Sequence, residues 1–157
     1  PHLVSSAASD VYKRQGLEGI TVNTRNDHVV VVKEHQPGLL IELDSSLTTI
    51  LSTRVLQPSQ GFIHPELKAE KLDFSGLSYD SSSDTLWIVS DKGRCLFQYD
   101  WARDTVLQRL DLTISTGDKP KRIRKPEGVA FDPDRNRLYV VSDRDGDLYV
   151  FRLHDDG

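Results

Sequence analysis

The stretch KPEGVAFDPDRNRLYVVSDRDGDLYVF, residues 125–151, decides the fold, because nearly the same pattern occurs twice earlier in the chain. The earlier copies are GLEGITVNTRNDHVVVVKEHQPGLLIEL from Gly16 and DFSGLSYDSSSDTLWIVSDKGRCLFQYD from Asp73. The copies align on three glycines, Gly19, Gly76 and Gly128, with a period of about 50 residues, which is typical of solenoids and propellers.

Each copy predicts a series of short strands. The run that starts at the glycine meets a turn rich in Asn, Asp and Ser, whose side chains cap their own backbone. A continuous apolar run follows, as expected of a strand covered on both faces, and after a second turn comes a third strand. Third strands are predicted at 39–43, 95–99 and 148–153, and fourth strands at 47–56 and 105–114 in the first two copies.

Four antiparallel strands per repeat form the blade of a β-propeller. The sequence therefore predicts an all-β chain, an incomplete β-propeller of three four-stranded blades in which the last blade lacks its outer strand. Residues 1–15, PHLVSSAASDVYKRQ, do not match the repeat and resemble translated sequencing-adapter sequence, so we assign them to no domain. Since propellers need about four to eight blades, residues 16–157 are expected to form the C-terminal part of a single propeller domain, with any signal or anchor upstream.

The composition is that of an ordinary β domain, with 37% hydrophobic and 28% charged residues and a net charge of −4. The negative charge argues against nucleic-acid binding. No apolar run reaches the roughly 18 residues of a transmembrane helix. The single cysteine, Cys95, lies within a strand pattern and is predicted to be a small core residue rather than a nucleophile.

Candidate site residues come from positions that recur beside the repeat glycine. Glu18, Ser75 and Glu127 directly precede it, and the first strand of each blade lines the channel of a propeller, so these side chains should converge near the axis. Acidic side chains gathered there suit a hard cation such as calcium, which binds six to eight oxygens. The alternative is that each glutamate forms an ion pair or satisfies backbone amides of a neighbouring blade.

A second acidic position closes the second strand of each copy, at Glu34, Asp91 and Asp143. Its presence in every copy favours a structural role as a turn cap, because an architecture needs the same joint in each repeat. These residues are therefore second-rank candidates for metal ligands.

Other motifs carry weaker signals. DRDGD at 143–147 and DPDRN at 132–136 resemble calcium loops but lack the glycine and glutamate of an EF-hand, so 145–146 is better explained as a hairpin turn. The basic run KPKRIRK, 119–125, is predicted to be an exposed loop between blades, with contact to anionic lipid or an acidic partner as the alternative. No zinc-type histidine spacing, phosphate loop or GxSxG or HExxH motif is present.

The three copies together resemble the last repeats of the SdiA-regulated family, also called the YjiK/CarP or calcium-regulated β-propeller family. The resemblance rests on the EG-type blade ending VVKE, the SGL blade ending SD and the PEGVAFD blade. It implies a propeller of six blades, a bacterial cell-envelope location and a link to calcium response. The chain departs from the family pattern at 142–144, where Ser-Asp-Arg replaces an expected Ser-Glu-Pro.

Two hypotheses for function follow. The preferred one is a noncatalytic envelope propeller that binds calcium or a protein or small-molecule partner at its axial face, with membrane association through an upstream segment. The alternative is a metal-dependent hydrolase of the lactonase or phytase-like esterase type, in which a Glu-Gly pair such as Glu18-Gly19 supplies a metal ligand, as the wider likeness to gluconolactonase-type propellers implies. A scaffold without metal is also open.

Overall fold

The computed structural model describes residues 16–34, 37–116 and 119–153. The predictions for residues 1–15, for the turn at 35–36 and for the tail after 153 fall outside this part of the chain. The described residues form strands and two short 3-10 helices, Pro58–Gln60 and Ala69–Lys71. The all-β prediction is confirmed.

The strands form two four-stranded blades, one three-stranded blade and a small hairpin. Every pairing is antiparallel and follows chain order. Blade 1 contains β1 Leu17–Asn23, β2 His28–Lys33, β3 Leu39–Leu43 and β4 Ile50–Val55. Blade 2 contains β5 Gly76–Asp80, β6 Thr85–Ser90, β7 Cys95–Asp100 and β8 Thr105–Asp111. The hairpin consists of β9 Thr113–Thr116 and β10 Lys119–Arg122, and blade 3 contains β11 Pro126–Asp132, β12 Arg137–Ser142 and β13 Asp147–Arg152.

Two strand boundaries and one loop assignment from the sequence need correction. β4 begins at Ile50 rather than 47, because Leu47 has a φ of 58° in a turn whose amides are held by the Asp44 carboxylate. β8 ends at Asp111, and the residues after it enter the small hairpin. The basic run is not a plain loop, since Lys119–Arg122 is strand β10 and the apolar Ile123 that follows is buried.

The turns between the first and second strands show why two positions of the repeat are Asp or Asn in every copy. Oδ1 of Asn23, Asp80 and Asp132, the last residue of each first strand, accepts a hydrogen bond from a backbone N–H inside the turn. The residue that closes each turn is left-handed, with φ of 59° at Asp27, 59° at Asp84 and 50° at Asn136. Asp and Asn are the residues other than glycine that tolerate this conformation best.

The repeat glycines lie where the blades meet. A Cβ on Gly19 would lie 2.8 Å from the Cα of Gly76, and a Cβ on Gly76 would lie 2.7 Å from the carbonyl oxygen of Glu127. β5 is therefore packed between β1 and β11 with backbone against backbone. This close approach explains why this position of the repeat is glycine in every copy. It also brings the inner strands of the blades together.

Two apolar cores lie between the blades. The core between blades 1 and 2 includes Val30, Leu40 and Phe97. It is completed by Phe62, from the long connection between β4 and β5, whose ring packs edge-on against Phe97. The core between blades 2 and 3 is built around Trp87, Leu96, Leu138 and Val140. Each blade thus uses its neighbour to cover a face that it cannot bury alone.

Blade 3 presents the same apolar face without a following blade in the described chain. Val141 and Leu148 occupy the positions of Val89 and Leu96 in blade 2. Val141 is 48% exposed and Leu148 61%, whereas the blade 2 pair is buried. The arrangement is that of an incomplete β-propeller, as the sequence predicted.

Candidate functional site

The acidic residues beside the repeat glycines lie in β-bulges. The pairing of β1 with β2 shifts between Leu17 and Gly19, which leaves Glu18 as the extra residue, and the pairing of β11 with β12 shifts in the same way around Glu127. A bulge turns the extra side chain away from the regular alternation of a strand. The bulges therefore give the two glutamates the same orientation in their blades.

These side chains line one cavity at the inner ends of the blades. The cavity has a volume of about 280 Å³. Its lining consists of Glu18, Glu34, Asp73, Ser75, Asp91 and Glu127. The predicted residues Glu18, Ser75, Glu127, Glu34 and Asp91 are thus brought together, whereas Asp143 is outside the lining.

Room for Glu18 is provided by Gly16. A Cβ on Gly16 would lie 2.6 Å from Oε1 of Glu18 and 3.7 Å from Oε2 of Glu34. The backbone of Glu34 also joins the blades, because its N–H donates to the Gly16 carbonyl and its carbonyl accepts from the Phe74 N–H at 2.9 Å. Glu34 is thus fixed at the edge of the cavity by its main chain.

Asp73 is a site residue that the repeat analysis missed. It is only 2% exposed, and its Oδ1 accepts from the Ser90 hydroxyl and the Lys92 N–H, each at 2.9 Å. Its position three residues before the glycine is occupied by Gly16 and Lys125 in the other copies. Since the three copies differ there, no repeated signal pointed to it.

Negative charge is concentrated around Asp91. Partial burial, followed by the nearby carboxylates of Asp73 and Glu127, raises the pKa of Asp91 above its ordinary value, while Lys125 and Lys92 oppose the shift. A raised carboxylate pKa shows that its charged form is disfavoured in the folded protein. A cation in the cavity would relieve that cost.

Two lysines of the protein already lie beside these carboxylates. Nζ of Lys92 is 3.7 Å from Oδ2 of Asp73. Nζ of Lys125 donates to Asp143 at 2.7 Å and lies 3.1 Å from Oε1 of Glu127. The hydrogen bond to Asp143 and then that to Glu127 raise the pKa of Lys125. Asp143 is therefore a partner of Lys125 in blade 3.

In blades 2 and 3 the turn after the second strand is capped by a serine, not by the acidic residue that follows it. The Ser90 hydroxyl accepts from the Gly93 N–H and the Ser142 hydroxyl from the Asp145 N–H, both at 3.0 Å. These serines are buried at the ends of β6 and β12, and their hydroxyl groups face the turn. The predicted turn-cap role of Asp91 and Asp143 thus belongs to the preceding position.

The remaining candidate motifs have structural contacts. The Asp145 carboxylate accepts from Nε of Arg124 at 2.7 Å, and Gly146 has the positive φ, 67°, of a hairpin turn. Asp132 pairs with Arg135. Cys95 is fully buried, as predicted, and burial raises the pKa of its thiol to about 12.

The donor chemistry of the cavity suits a hard cation, since carboxylates and one hydroxyl surround it. The spacing does not by itself close a coordination sphere: within residues 16–34, 37–116 and 119–153, no three His, Cys, Asp or Glu side chains are grouped as direct ligands of one ion. The same residues contain no helix of the length and apolarity needed to span a membrane.

Comparison with known proteins gives a family and a fold. The model of the SdiA-regulated family matches residues 5–152. A search of curated proteins finds no match to the sequence.

Solved structures show the propeller fold at low identity. A chain of the nidogen/laminin complex is 16% identical with a TM-score of 0.57, over 88% of this chain and 44% of that one. A chain of the mitotic checkpoint complex is 9% identical with a TM-score of 0.58, over 90% and 38%, and one of Kuenenia stuttgartiensis hydrazine synthase is 13% identical with a TM-score of 0.52, over 82% and 29%. The chain thus spans less than half of each of these proteins.

Proposed function

The chain belongs to the SdiA-regulated family, and we propose that it is a noncatalytic propeller whose axial acidic cavity binds a divalent cation, calcium in the first place. In this proposal the bound ion stabilises the contacts between blades and so sets the shape of the axial face for a partner. A role in calcium response at the bacterial cell envelope is the corresponding proposal for the whole protein.

The observation that carries the proposal is the convergence of five carboxylates from three blades on one cavity. Two of them lie in bulges, Glu18 and Glu127, and two follow the ends of second strands, Glu34 and Asp91. The fifth is the buried Asp73. These positions are far apart in the sequence. The raised pKa of Asp91, caused by burial and by the carboxylates of Asp73 and Glu127, indicates that these charges repel one another. A divalent cation offsets that repulsion.

Calcium fits this donor set better than zinc does. The lining offers oxygen atoms, whereas zinc sites in proteins favour thiolate and imidazole ligands. Calcium also accepts flexible geometry and water in its coordination shell. Because the carboxylates are not grouped as direct ligands, we expect the ion to be held partly through water, at an affinity below that of a closed loop.

The test is a thermal melt of the protein in chelator and in a calcium series, alongside a Glu18→Gln, Glu127→Gln double variant. A ligand that binds only the folded state stabilises it by about 2.7 kcal/mol at a concentration of 100 Kd. We expect a calcium-dependent rise in Tm for the native chain and a much smaller one for the variant. An unchanged Tm across the series would refute the cation role.

The hydrolase alternative stays a prediction. It requires an ion that activates water next to a lactone or phosphoester. Metal-loaded protein should be assayed against a panel of both ester classes, with the same double variant as control. Turnover that depends on the two glutamates would replace the noncatalytic proposal.

A further inference from the structure

A second cavity, bounded mainly by basic side chains, lies beside the axial acidic cavity. Its volume is about 510 Å³, and it shares one lining residue, Asp91, with the acidic cavity. One apolar side chain, that of Leu67, also lines it. The remaining lining residues of this basic cavity are Lys71, Lys92, Arg94, Arg124, Lys125 and Arg144. Because the chain as a whole has a net charge of −4, the positive charge here is a local feature of the molecule.

Half of the cations of the basic cavity are paired within the protein, and half are not. The ion pairs are those of Lys92 with Asp73, Arg124 with Asp145 and Lys125 with Asp143. Among the residues that the structure describes, no carboxylate forms an ion pair with Lys71, Arg94 or Arg144. These three residues are exposed. Their charges are therefore available to an anionic ligand.

The three unpaired cations come from separate parts of the chain. Lys71 ends the 3-10 helix Ala69–Lys71 in the connection between blades 1 and 2. Arg94 lies in the turn between β6 and β7, and Arg144 lies in the turn between β12 and β13. A ligand in the basic cavity is thus placed to contact blades 2 and 3 and the connection that precedes blade 2.

Arg94 has a backbone conformation that suits glycine better. Its φ is 49°, in the left-handed region. The corresponding turn residue of blade 3 is Gly146, with a φ of 67°, since each stands two positions before the matching residues Leu96 and Leu148. Glycine adopts this conformation freely, whereas a residue with a Cβ is strained in it. Strain of this kind clusters at ligand-binding positions, so the arginine in blade 2 points to a role for its guanidinium group.

We propose that the basic cavity binds the phosphate group of a small organic phosphate ester. Such a group carries about two negative charges at pH 7 and several strong acceptor oxygens. Three unpaired cations from three elements match that charge better than they match a carboxylate, which carries a single charge on a planar group. The two guanidinium groups, of Arg94 and Arg144, are also suited to paired hydrogen bonds with phosphate oxygens.

The size of the basic cavity favours an ester over a free phosphate ion. A volume of about 510 Å³ lies within the range of roughly 300–1,000 Å³ that is usual for small-molecule sites. It leaves room for an organic group beside the phosphate, and Leu67 offers that group an apolar contact. The site is distinct from the cation site proposed for the axial cavity and does not require a bound cation.

A phosphate monoester occurs both in soluble esters and in the headgroup of phosphatidic acid, so the experiment has one arm for each source. In the soluble arm, glycerol 3-phosphate is titrated with the full chain and followed by phosphorus NMR. In the membrane arm, the chain is sedimented with vesicles of phosphatidylcholine and phosphatidic acid, with pure phosphatidylcholine as the blank. A chelating resin removes divalent cations from all buffers, so a failure here leaves the calcium proposal untouched.

Two double variants with the same change in net charge separate the cavity from the basic surface in general. Arg94→Gln with Arg144→Gln removes two unpaired cations of the cavity. Lys119→Gln with Lys121→Gln removes two cations of the exposed strand β10, which are outside the lining. Because all four residues are exposed, we expect both variants to fold, and equal Tm values in the absence of ligand verify this.

We expect saturable binding to the native chain, at least about tenfold weaker binding to the arginine variant, and an affinity within about twofold of native for the lysine variant. Binding in the soluble arm alone identifies a soluble ester as the source, and tighter binding to phosphatidic acid vesicles identifies a lipid headgroup. The absence of saturable binding in both arms would overturn the proposal. Equal weakening in the two variants, or displacement of the ester by an equal concentration of acetate, would overturn it as well.

Discussion

The hydroxyl of Ser78 accepts a hydrogen bond of 3.0 Å from the backbone N–H of Phe131, across the boundary between blades 2 and 3. The same bond joins blades 1 and 2, where the Thr21 hydroxyl accepts from the Tyr79 N–H at 3.0 Å. Both hydroxyls lie two positions after the repeat glycine. The third copy has Ala130 there, and Ala130 is exposed. A side chain at one fixed repeat position thus links each blade to the next.

Replacing these hydroxyls should weaken the contacts between blades. Ser78→Ala and Thr21→Val each leave an interblade amide without its acceptor, so we expect each to lower the free energy of unfolding by about 1–2 kcal/mol. Urea denaturation measures the change. Ala130→Ser is the matched control and should alter stability by less than about 0.5 kcal/mol. Loss of stability in the control alone would contradict the account.

The repeat glycines should differ in their tolerance of a side chain. Gly76→Ala places a methyl group against the Glu127 carbonyl and near the Cα of Gly128, both of them backbone atoms. Gly128→Ala meets a side-chain methyl of Val141, which is exposed and can move. We expect Gly76→Ala to cost about 1–3 kcal/mol in unfolding free energy and Gly128→Ala clearly less. Equal losses would argue against backbone packing as the reason for the glycine column.

The raised pKa of Asp91 predicts a pH dependence of stability. The folded state binds the Asp91 proton more tightly than the unfolded chain does, so the free energy of unfolding falls as pH rises from the ordinary value, 3.8, through the higher folded pKa. The penalty is then complete at neutral pH. Asp91→Asn should therefore stabilise the protein at pH 7, by no more than about 1 kcal/mol because solvent screens this partly exposed group.

The check on this prediction is a series of melts at different pH values. The difference in Tm between Asp91→Asn and the native chain should shrink as the pH approaches 3. Glu127→Gln is a useful companion, because it removes one of the charges that raise the Asp91 pKa. Destabilisation by Asp91→Asn at pH 7 would show that the carboxylate makes a contact that outweighs the repulsion.

Lys125 and Glu127 should act on cation binding in opposite directions. Lys125 Nζ lies 3.1 Å from the Glu127 carboxylate and competes with an added ion for it. We expect Lys125→Gln to tighten calcium binding several-fold and Glu127→Gln to weaken it, with both effects reduced at high salt because the charges are exposed. Equilibrium dialysis with radioactive calcium measures both. Equal affinities in the two variants would mean that calcium binds elsewhere.

The repeat columns allowed much of the fold to be predicted. In the structure, Gly76 allows two blades to approach closely, Asp80 caps a turn, and Asp84 has a left-handed backbone. Each is what the residue type favours. The convergence of Glu18, Ser75 and Glu127 also followed from the repeat. What could not be predicted depended on differences between copies: Asp73, Lys125 and Gly16 share one column, and their roles appear only when the blades are packed together.

The prediction that the basic run is a loop was wrong at 119–122 for a related reason, although these residues are exposed as predicted. Lys119–Arg122 has the composition of a solvated loop, but it pairs with Thr113–Thr116 in the connection between blades 2 and 3. The described connection between blades 1 and 2 forms two 3-10 helices instead. The acidic residue after each second strand was assigned as a cap because it recurs. The serine before it, Ser90 or Ser142, recurs in only two copies and makes the hydrogen bond.

The most direct test of the central claim is isothermal titration calorimetry of calcium into the native chain and into the Glu18→Gln, Glu127→Gln double variant. The account predicts one site per chain and at least about a tenfold loss of affinity in the variant, since two carboxylates of the axial cavity lose their charge. Calcium binding of equal affinity in both proteins, or no binding to the native chain, would contradict it.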